Sequence, residues 1–188
     1  MKQQKSVLRK EIIKKRQSLS QKEWQTKSSS VCHLIKSLPE FAEADTIFAY
    51  FSFRKEVDLS SLFSFNKNWV FPRCVGQSLV RHLWQPGEPL VKDKYGIKTP
   101  LETAPIVSAS LADLILVPTV ACDAKGYRLG YGGGFYDRFF SSLCSPEPIA
   151  IGIVFNFARV AQLPLEAWDI PLYSVCTETE FFNYKDNI

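Results

Sequence analysis

The amino-acid sequence predicts an α/β fold, a three-layer α/β/α sandwich around a mainly parallel β-sheet. Residues 111–117 and 149–155 form two nearly continuous apolar runs, which are typical of strands buried at the centre of a parallel sheet. Residues 5–19 and 20–38 repeat apolar side chains every three to four positions, as amphipathic helices do. Because strand and helix segments alternate along the chain, helices should cover both faces of the sheet.

Local signals in the N-terminal half mark where elements begin and end. Ser20 to Glu23 have the form of a capping box, so a second helix should begin there, and Pro39 should end it. Residues 46–52 are β-branched and aromatic, which predicts a strand. Asp58 is a candidate cap for a short helix after that strand.

The C-terminal half continues the alternation of strands and helices. Residues 69–72, 79–84 and 175–180 predict further strands, and residues 135–143 predict a helix. Residues 85–105 contain prolines, glycines and many polar side chains. We interpret them as one long ordered loop, and loops of that length are usually functional.

Length and composition place the chain among compact cytoplasmic proteins. A chain of 188 residues, 46% of them hydrophobic, suits a single domain over residues 1–188. No apolar run approaches the roughly 20 residues of a membrane helix, and no apolar segment like that of a signal peptide follows the N-terminus. The five cysteines are widely spaced, without a Cys-x-x-Cys pair, so reduced thiols are expected rather than zinc or disulfides. We expect a monomer with no membrane partner.

The positive net charge belongs to one segment. Residues 1–27 hold nine Lys and Arg against Glu11 and Glu23, whereas residues 28–188 hold 14 Lys and Arg against 17 Asp and Glu. A nucleic-acid-binding protein usually spreads its basic residues over a folded face. The pattern therefore indicates a basic helix that is either solvated or directed at an anionic ligand, and no nucleic-acid partner.

The segment of residues 113–139 runs from strand to glycine cluster to helix, the arrangement in which open α/β sheets bind ligands. Residues 130 and 132–134 are glycines, and their N–H groups, together with the start of the next helix, predict an anion site. Arg128 precedes them and suits phosphate oxygens. Asp137 follows them and suits Mg²⁺.

This motif differs from the common phosphate-binding motifs. The sequence has no Gly-x-x-x-x-Gly-Lys-Ser/Thr, and Phe135 stands where the dinucleotide fingerprint has its third glycine. A glycine cluster alone is also compatible with a tight turn. The whole run Arg-Leu-Gly-x-Gly-x-Gly-x-Tyr-Asp over residues 128–137 is much more specific.

Residues 128–137 resemble the corresponding segment of the 5-formyltetrahydrofolate cyclo-ligases, also called 5,10-methenyltetrahydrofolate synthetases. Further matches follow in chain order: Lys5 and Arg9, Tyr50-Phe51-Ser52 with Glu56-Val57-Asp58, Trp84-x-Pro86-Gly87-Glu88, Tyr95-Gly96-Ile97, and Leu163-Pro164-Leu165 with Asp169. The resemblance covers nearly the whole chain. It implies a Rossmann-like sheet of the NagB/RpiA/CoA transferase-like type.

The resemblance also implies an activity. Enzymes of that family close 5-formyltetrahydrofolate to 5,10-methenyltetrahydrofolate while they convert ATP to ADP and phosphate. The chain would then be a ligase of folate and one-carbon metabolism, with Mg²⁺ as cofactor. Its partners would be ATP and 5-formyltetrahydrofolate, whose polyglutamate tail the N-terminal lysines would attract.

Particular residues acquire roles through the resemblance. Arg128 and Tyr136 are implied to be catalytic, and Asp137 and Asp169 to be metal ligands. The implied ATP-binding residues are Lys5, Arg9, Arg128, Leu129, Gly130, Tyr131, Gly132, Gly133, Gly134, Phe135 and Tyr136. The implied folate-binding residues are Phe51, Glu56, Trp84, Tyr131, Gly132, Gly133, Gly134 and Phe135, with the Glu56 carboxylate facing the donor edge of the pterin and the aromatic rings stacking on it.

The sequence departs from the family pattern at six positions. The family commonly has Glu at Thr99, Gly at Thr119, Phe at Cys122, Tyr at Phe135, His at Trp168 and a second Asp at Tyr173. If that second Asp helps to bind metal, only Asp169 remains to do so in this motif.

Simpler interpretations of the same residues stay open at this point. Lys5 and Arg9 alone would be solvated, Trp84 would be a core residue, and Arg128 and Asp137 would form an ion pair. Two other functions also remain: a sugar-phosphate isomerase or similar α/β enzyme that needs no ATP, and a basic RNA-binding module, which would show salt-sensitive binding.

Overall fold

A computed structural model describes residues 2–143, 148–166 and 169–184. Its α-helices are α1 Lys2–Gln17, α2 Gln21–Ser37, α3 Pro39–Glu43 and α4 Phe135–Ser141. Its strands are β1 Thr46–Phe48, β2 Asn68–Val75, β3 Ser78–Leu83, β4 Leu90–Lys92, β5 Lys98–Pro100, β6 Leu114–Pro118, β7 Ala121–Asp123, β8 Arg128–Leu129, β9 Ile149–Ile153, β10 Arg159–Val160, β11 Ser174–Cys176 and β12 Phe181–Asn183.

The main sheet has seven strands in the order β12-β11-β9-β6-β1-β2-β3. The five inner strands, from β11 to β2, run parallel, and the two edge strands are antiparallel to their neighbours. The prediction of a mainly parallel sheet with the two apolar runs at its centre is therefore confirmed. Strands β6 and β9 are buried along most of their length because helices lie on both sides of the sheet.

Alternate residues of each strand serve two separate apolar clusters, as the two-residue period of a strand requires. One face carries Ile47, Trp69, Leu114 and Ile151 against α2 and α3. The opposite face packs against α4 through Phe139. Ligands of a parallel sheet bind at the carboxyl ends of its strands.

The predicted start of the second helix is confirmed, whereas the short helix after Asp58 is the 3-10 helix Ser60–Leu62, whose N-cap is Leu59 rather than Asp58. The Ser20 hydroxyl accepts a hydrogen bond from the Glu23 N–H, and the Glu23 carboxylate accepts one from the Ser20 N–H, which is the predicted capping box. Helix α2 ends two residues before Pro39, which then occupies the first turn of α3. Among the described residues, no helix is long and apolar enough to cross a membrane.

The prediction of a loop without regular structure over residues 85–105 was wrong. Strands β4 and β5 form an antiparallel hairpin within it. Gly96 takes a φ of 80° at the hairpin turn, and the Asp93 carboxylate accepts the N–H groups of Tyr95 and Ile97. The turn chemistry of Asp and Gly was present in the sequence, but the short strands lacked a clear alternation.

Several predicted strands are shorter than expected, among them β1, β6, β9 and β11, and one small sheet was missed. The strand predicted over residues 175–180 ends at Cys176, because the Thr177 hydroxyl accepts the N–H groups of Thr179 and Glu180 and turns the chain. Strand β1 ends at Phe48 rather than at residue 52. Strands β10, β7 and β8 form a separate three-stranded sheet, which leads the chain into the glycine segment.

Candidate functional site

The glycine segment, residues 130–134, connects strand β8 to helix α4. Gly132 has a φ of 97° and Gly134 a φ of 66°, a region where a Cβ would be strained. Leu129, just before the segment, is buried in the core beside Val120 and Ala121. Only its main chain is therefore available to a ligand at this position.

Arg128 and Asp137 face each other across the glycine segment. Both terminal nitrogens of Arg128 donate to Asp137 Oδ1, at 2.8 and 2.7 Å. The Arg128 side chain is 6% exposed and that of Asp137 is 33% exposed. The ion-pair interpretation of these two residues is therefore correct, and Asp137 is the more exposed member of the pair.

Helix α1 turns some of its cations, among them Lys5 and Arg9, toward the rest of the protein. Lys5 is buried and its Nζ lies 2.5 Å from Asp169 Oδ2 and 3.5 Å from Glu166 Oε2. The Arg9 Nε donates to the carbonyl of Gly130 at 2.7 Å, and its guanidinium lies against Gly132. The interpretation of Lys5 and Arg9 as solvated surface charges is wrong, and both reach the predicted site.

Sequence reasoning missed Arg16, which is only 3% exposed. Its Nε donates to the carbonyl of Arg54 at 3.0 Å, and a terminal nitrogen donates to the Tyr131 hydroxyl. The signal was the spacing: positions 5, 9, 12 and 16 share one helix face at intervals of four, three and four residues. Three of those four positions are cationic, which marks a charged stripe inside an otherwise apolar face.

Glu56 lies in a β-turn of residues 53–56 and is 5% exposed. The Phe53 carbonyl accepts the Glu56 N–H at 3.0 Å, and the Glu56 carboxylate accepts the Phe53 N–H at the same distance. Burial raises the pKa of the Glu56 carboxyl, while the nearby Arg16 cation and the Phe53 N–H hold part of that rise back.

Two tyrosines of the glycine segment and α4 lie near Glu56. Burial raises the pKa of both Tyr131 and Tyr136, and the Glu56 charge adds to the rise. Both phenols are therefore protonated at neutral pH and can donate a hydrogen bond. Tyr136 packs edge to face on Phe139, while Phe135 stacks under the Arg138 guanidinium at 5.2 Å.

Phe51 and Trp84 belong to an aromatic cluster at the edge of the core. The Phe51 ring stacks on Phe71 with centroids 4.0 Å apart, and Trp84 packs edge to face against both rings. Trp84 is only 8% exposed, and its indole N–H donates to the Glu88 carbonyl. Trp84 is therefore a core residue, and its predicted role as an open stacking surface is wrong. It instead supports Phe51, whose ring is partly exposed.

A comparison with protein-family models matches residues 1–178 to the 5-formyltetrahydrofolate cyclo-ligase family. The chain belongs to this family. The 5-formyltetrahydrofolate cyclo-ligase of Haemophilus influenzae is 32% identical over 92% of this chain and 97% of its own length. The enzyme of the same name from Escherichia coli K12 is 28% identical over 92% of this chain and 100% of its own.

Solved structures of cyclo-ligase family members have the same fold. The NMR structure of Aquifex aeolicus 5,10-methenyltetrahydrofolate synthetase is 34% identical, with a TM-score of 0.85 over 97% of this chain and 93% of that one. A 5,10-methenyltetrahydrofolate synthetase from Mycoplasma pneumoniae gives a TM-score of 0.76 at 24% identity, over 93% and 98% of the two chains. This second likeness supports the fold alone.

Two of the positions that depart from the cyclo-ligase pattern have structural roles in this chain. Thr99 is buried and its hydroxyl accepts a hydrogen bond from Arg73 at 3.1 Å. Thr119 is also buried, and its hydroxyl donates to the Val117 carbonyl. Tyr173 is 40% exposed. Trp168 and Cys144 lie outside the described residues.

The thiols are not part of the candidate site. Cys32, Cys74, Cys122 and Cys176 are free, which agrees with the expectation of reduced cysteines in this part of the chain. Burial raises the pKa of Cys122 and of Cys176 to about 12, so both are inert thiols at neutral pH.

Asp137 and Asp169 are the candidate ligands for Mg²⁺, which prefers few carboxylates together with phosphate and water oxygens. Each aspartate has an engaged oxygen, held by Arg128 or Lys5, and a second oxygen without a hydrogen bond within the described ranges. The same ranges contain no group of three or more metal-binding side chains. Each carboxylate therefore keeps one oxygen that a cation could share with a phosphate ligand.

Proposed function

We propose that this chain catalyses the ATP-dependent cyclisation of 5-formyltetrahydrofolate to 5,10-methenyltetrahydrofolate, with release of ADP and phosphate. One observation carries the proposal: buried Arg16 contacts both the glycine segment, at Tyr131, and the turn that holds Glu56, at Arg54. The segment expected to hold phosphate and the turn expected to hold folate therefore meet at one place. A phosphoryl transfer between two substrates requires this proximity.

The proposed reaction has two steps, a phosphoryl transfer and a ring closure. The formyl oxygen on N5 attacks the γ-phosphorus of ATP, the bond from that phosphorus to the β–γ bridging oxygen breaks, and ADP leaves. The lone pair of N10 then attacks the activated formyl carbon, and N10 loses its proton. Phosphate departs with the electrons of the C–O bond, which leaves the methenyl bridge between N5 and N10.

On the nucleotide side, the chain contributes charge and donors. Arg128, Lys5 and Arg9 supply cations around the glycine N–H groups, and phosphoryl transfer depends mainly on positioning and on neutralising charge. Each terminal nitrogen of Arg128 uses one of its two N–H groups on Asp137, and the Arg128 Nε has no partner among the described residues, so donors remain for a phosphate oxygen. Protonated Tyr136 suits a hydrogen bond to a phosphoryl oxygen.

On the folate side, the proposed contacts are Glu56, Phe51 and Tyr131. A buried carboxylate beside a cation suits the N–H donor edge of a pterin, and the partly exposed rings of Phe51 and Tyr131 suit its flat face. Trp84 holds Phe51 from behind. The main chain of residues 132–134, with Phe135, lies between the folate and nucleotide sides in this proposal.

Asp137 and Asp169 are the residues proposed to hold Mg²⁺. The ion would neutralise charge on the ATP phosphates when bound. The basic helix α1 would attract a polyglutamate tail. We further propose a monomer of the NagB/RpiA/CoA transferase-like three-layer type, supported by the helices on both faces, and a cytoplasmic location, supported by the four free thiols of the described ranges.

The test uses purified protein with 5-formyltetrahydrofolate, ATP and Mg²⁺. The near-ultraviolet absorbance of the methenyl product should rise, and ADP and phosphate should appear in a one-to-one ratio with it. The controls omit ATP, Mg²⁺ or folate one at a time. Folded protein that gives no product in the complete mixture would reject the proposal, and product without ATP would indicate a different reaction.

A further inference from the structure

We propose that Arg16 is a positioning residue that couples the folate side of the site to the phosphate side. This inference rests on the proposed function and extends it to a residue outside the recognised motifs. The two contacts of the Arg16 guanidinium are to segments 77 residues apart in the chain, at Arg54 and Tyr131. A planar guanidinium can hold two acceptors in fixed relative positions, which a lysine ammonium cannot do in the same way.

The turn that Arg16 contacts is strained. Arg54 and Lys55 have φ values of 49° and 54°, and they are the residues other than glycine with positive φ in the described ranges. A left-handed residue with a Cβ costs roughly 1–2 kcal/mol, so two adjacent ones persist only where the surroundings hold them. The turn ends at Glu56, and its conformation therefore decides where that carboxylate lies.

The surroundings that hold the turn come mainly from the end of α1 and the start of α2. Arg16 donates to the Arg54 carbonyl, and the Lys55 ammonium donates to the carbonyls of Gln17 and Leu19. The Trp24 indole donates to the Glu56 carbonyl at 2.7 Å. Arg16 is the one member of this set that also contacts the glycine segment.

The second contact of Arg16 extends the restraint to the phosphate side. Its guanidinium lies 5.7 Å from the centre of the Tyr131 ring as well as donating to its hydroxyl. Tyr131 stands between Gly130 and Gly132, so fixing its side chain fixes the main chain of the predicted anion site. Displacing Arg16 should therefore disturb Glu56 and the glycine N–H groups together.

The experiment is a double-mutant cycle of Arg16→Met and Tyr131→Phe, assayed with the monoglutamate substrate. Met keeps an apolar stem of similar length, and Phe keeps the ring. Arg16→Met should raise the KM for 5-formyltetrahydrofolate at least about tenfold, equivalent to about 1.4 kcal/mol, and should also raise the KM for ATP. In the Tyr131→Phe background the same change should have an effect at least about threefold smaller, since contacting residues are not additive.

Two further variants separate positioning from charge and from general destabilisation. Arg16→Lys keeps the charge but lacks the planar fork, and it should recover less than half of the lost kcat/KM. Lys14→Met removes an exposed cation two positions away on α1, and its kinetics should match the wild type. Thermal unfolding of each variant reports stability separately from the two KM values.

The proposal is overturned if Arg16→Lys restores wild-type kinetics, if the effects of Arg16→Met and Tyr131→Phe simply add, or if Arg16→Met behaves like Lys14→Met. Should Arg16→Met fail to fold, Tyr131→Phe alone decides: it should raise both KM values at least about threefold, and unchanged values count against coupling. A wild-type protein without cyclisation activity would instead reject the proposed function, and with it this role.

Discussion

The glycine segment at residues 130–134 and the Glu56 turn at residues 53–56 both use left-handed backbone, but by different means. Gly132 and Gly134 have positive φ without a Cβ, so their conformation is local and almost free of strain. Arg54 and Lys55 have positive φ with full side chains, and bonds from α1 hold them. The left-handed glycines of the phosphate side thus need no support from elsewhere to adopt their φ, whereas the left-handed residues of the folate side are held by a distant helix.

The largest expected effect lies on the phosphate side. Arg128→Ala should lower kcat at least about a hundredfold, the order found when a donor to transition-state charge is removed. The kcat of Arg128→Lys should lie between those of the wild type and Arg128→Ala, because lysine keeps the charge but not the bidentate geometry. Near-normal turnover of Arg128→Ala in the cyclisation assay would mean that Arg128 serves only as the partner of Asp137.

Alanine substitutions within the glycine segment test whether its shape is local. At Gly132 a Cβ would meet the Arg9 guanidinium at 3.4 Å with φ at 97°, so Gly132→Ala should lower the free energy of unfolding by about 1–2 kcal/mol. At Gly130 the space around a Cβ is open and φ is not positive, so Gly130→Ala should change it by less than about 0.5 kcal/mol. Chemical denaturation measures both, and equal effects would contradict this account of the loop.

On the folate side, the burial of Glu56 should make the stability of the protein depend on pH. Because burial raises the folded-state pKa of Glu56, its contribution to stability is fully present below the unfolded value near 4.5 and is lost as pH rises through the folded value. Relative to Glu56→Gln, the wild type should therefore lose stability as the pH rises above the unfolded value near 4.5. Denaturation curves of both proteins above that pH provide the measurement, and a pH-independent difference would show that Glu56 is solvated.

The smallest expected effect is a gain in stability at the strained turn. Arg54→Gly relieves about 1–2 kcal/mol of left-handed strain in the folded state. It also costs about 0.5–1 kcal/mol, because glycine gives the unfolded chain more conformational entropy. The free energy of unfolding should therefore rise by about 0.5 kcal/mol. Thr103→Gly, at an exposed turn position of ordinary φ, should instead lose about 0.5–1 kcal/mol. If both variants lose stability equally, the turn is not strained.

Local signals explain why much of the fold was predictable. The capping box at Ser20 and the apolar runs of β6 and β9 each determine a structure from neighbouring residues alone. The hairpin of β4 and β5 was missed because three-residue strands carry too short a pattern to count. The three-stranded sheet was missed because Arg128–Leu129 and Arg159–Val160 are two-residue strands that exist only through their pairing with β7.

In the candidate site, too, some residues were predictable from a local motif and others depend on tertiary contacts. The roles proposed for Arg128, Asp137 and the glycines come from one contiguous motif, which resembles the cyclo-ligase family to which the chain belongs. Trp84 was expected to be open to a ligand but is buried, because its exposure depends on Phe51, Phe63 and Phe71 around it. Arg16 was overlooked because its one signal, the shared helix face with Lys5, Arg9 and Ile12, lies within a helix that also carries exposed lysines.

By itself, the sequence determined the family, the parallel sheet and the glycine backbone that can lie close to an anion, since each depends on short-range pattern or on an absent Cβ. Only the tertiary structure decided that Lys5 pairs with Asp169, that Arg16 is buried, and that Arg54 and Lys55 adopt left-handed conformations. Those outcomes require charges and strain to be held by residues far away in the chain. Such compensation has no local signature, because it exists only after α1 has packed against the site.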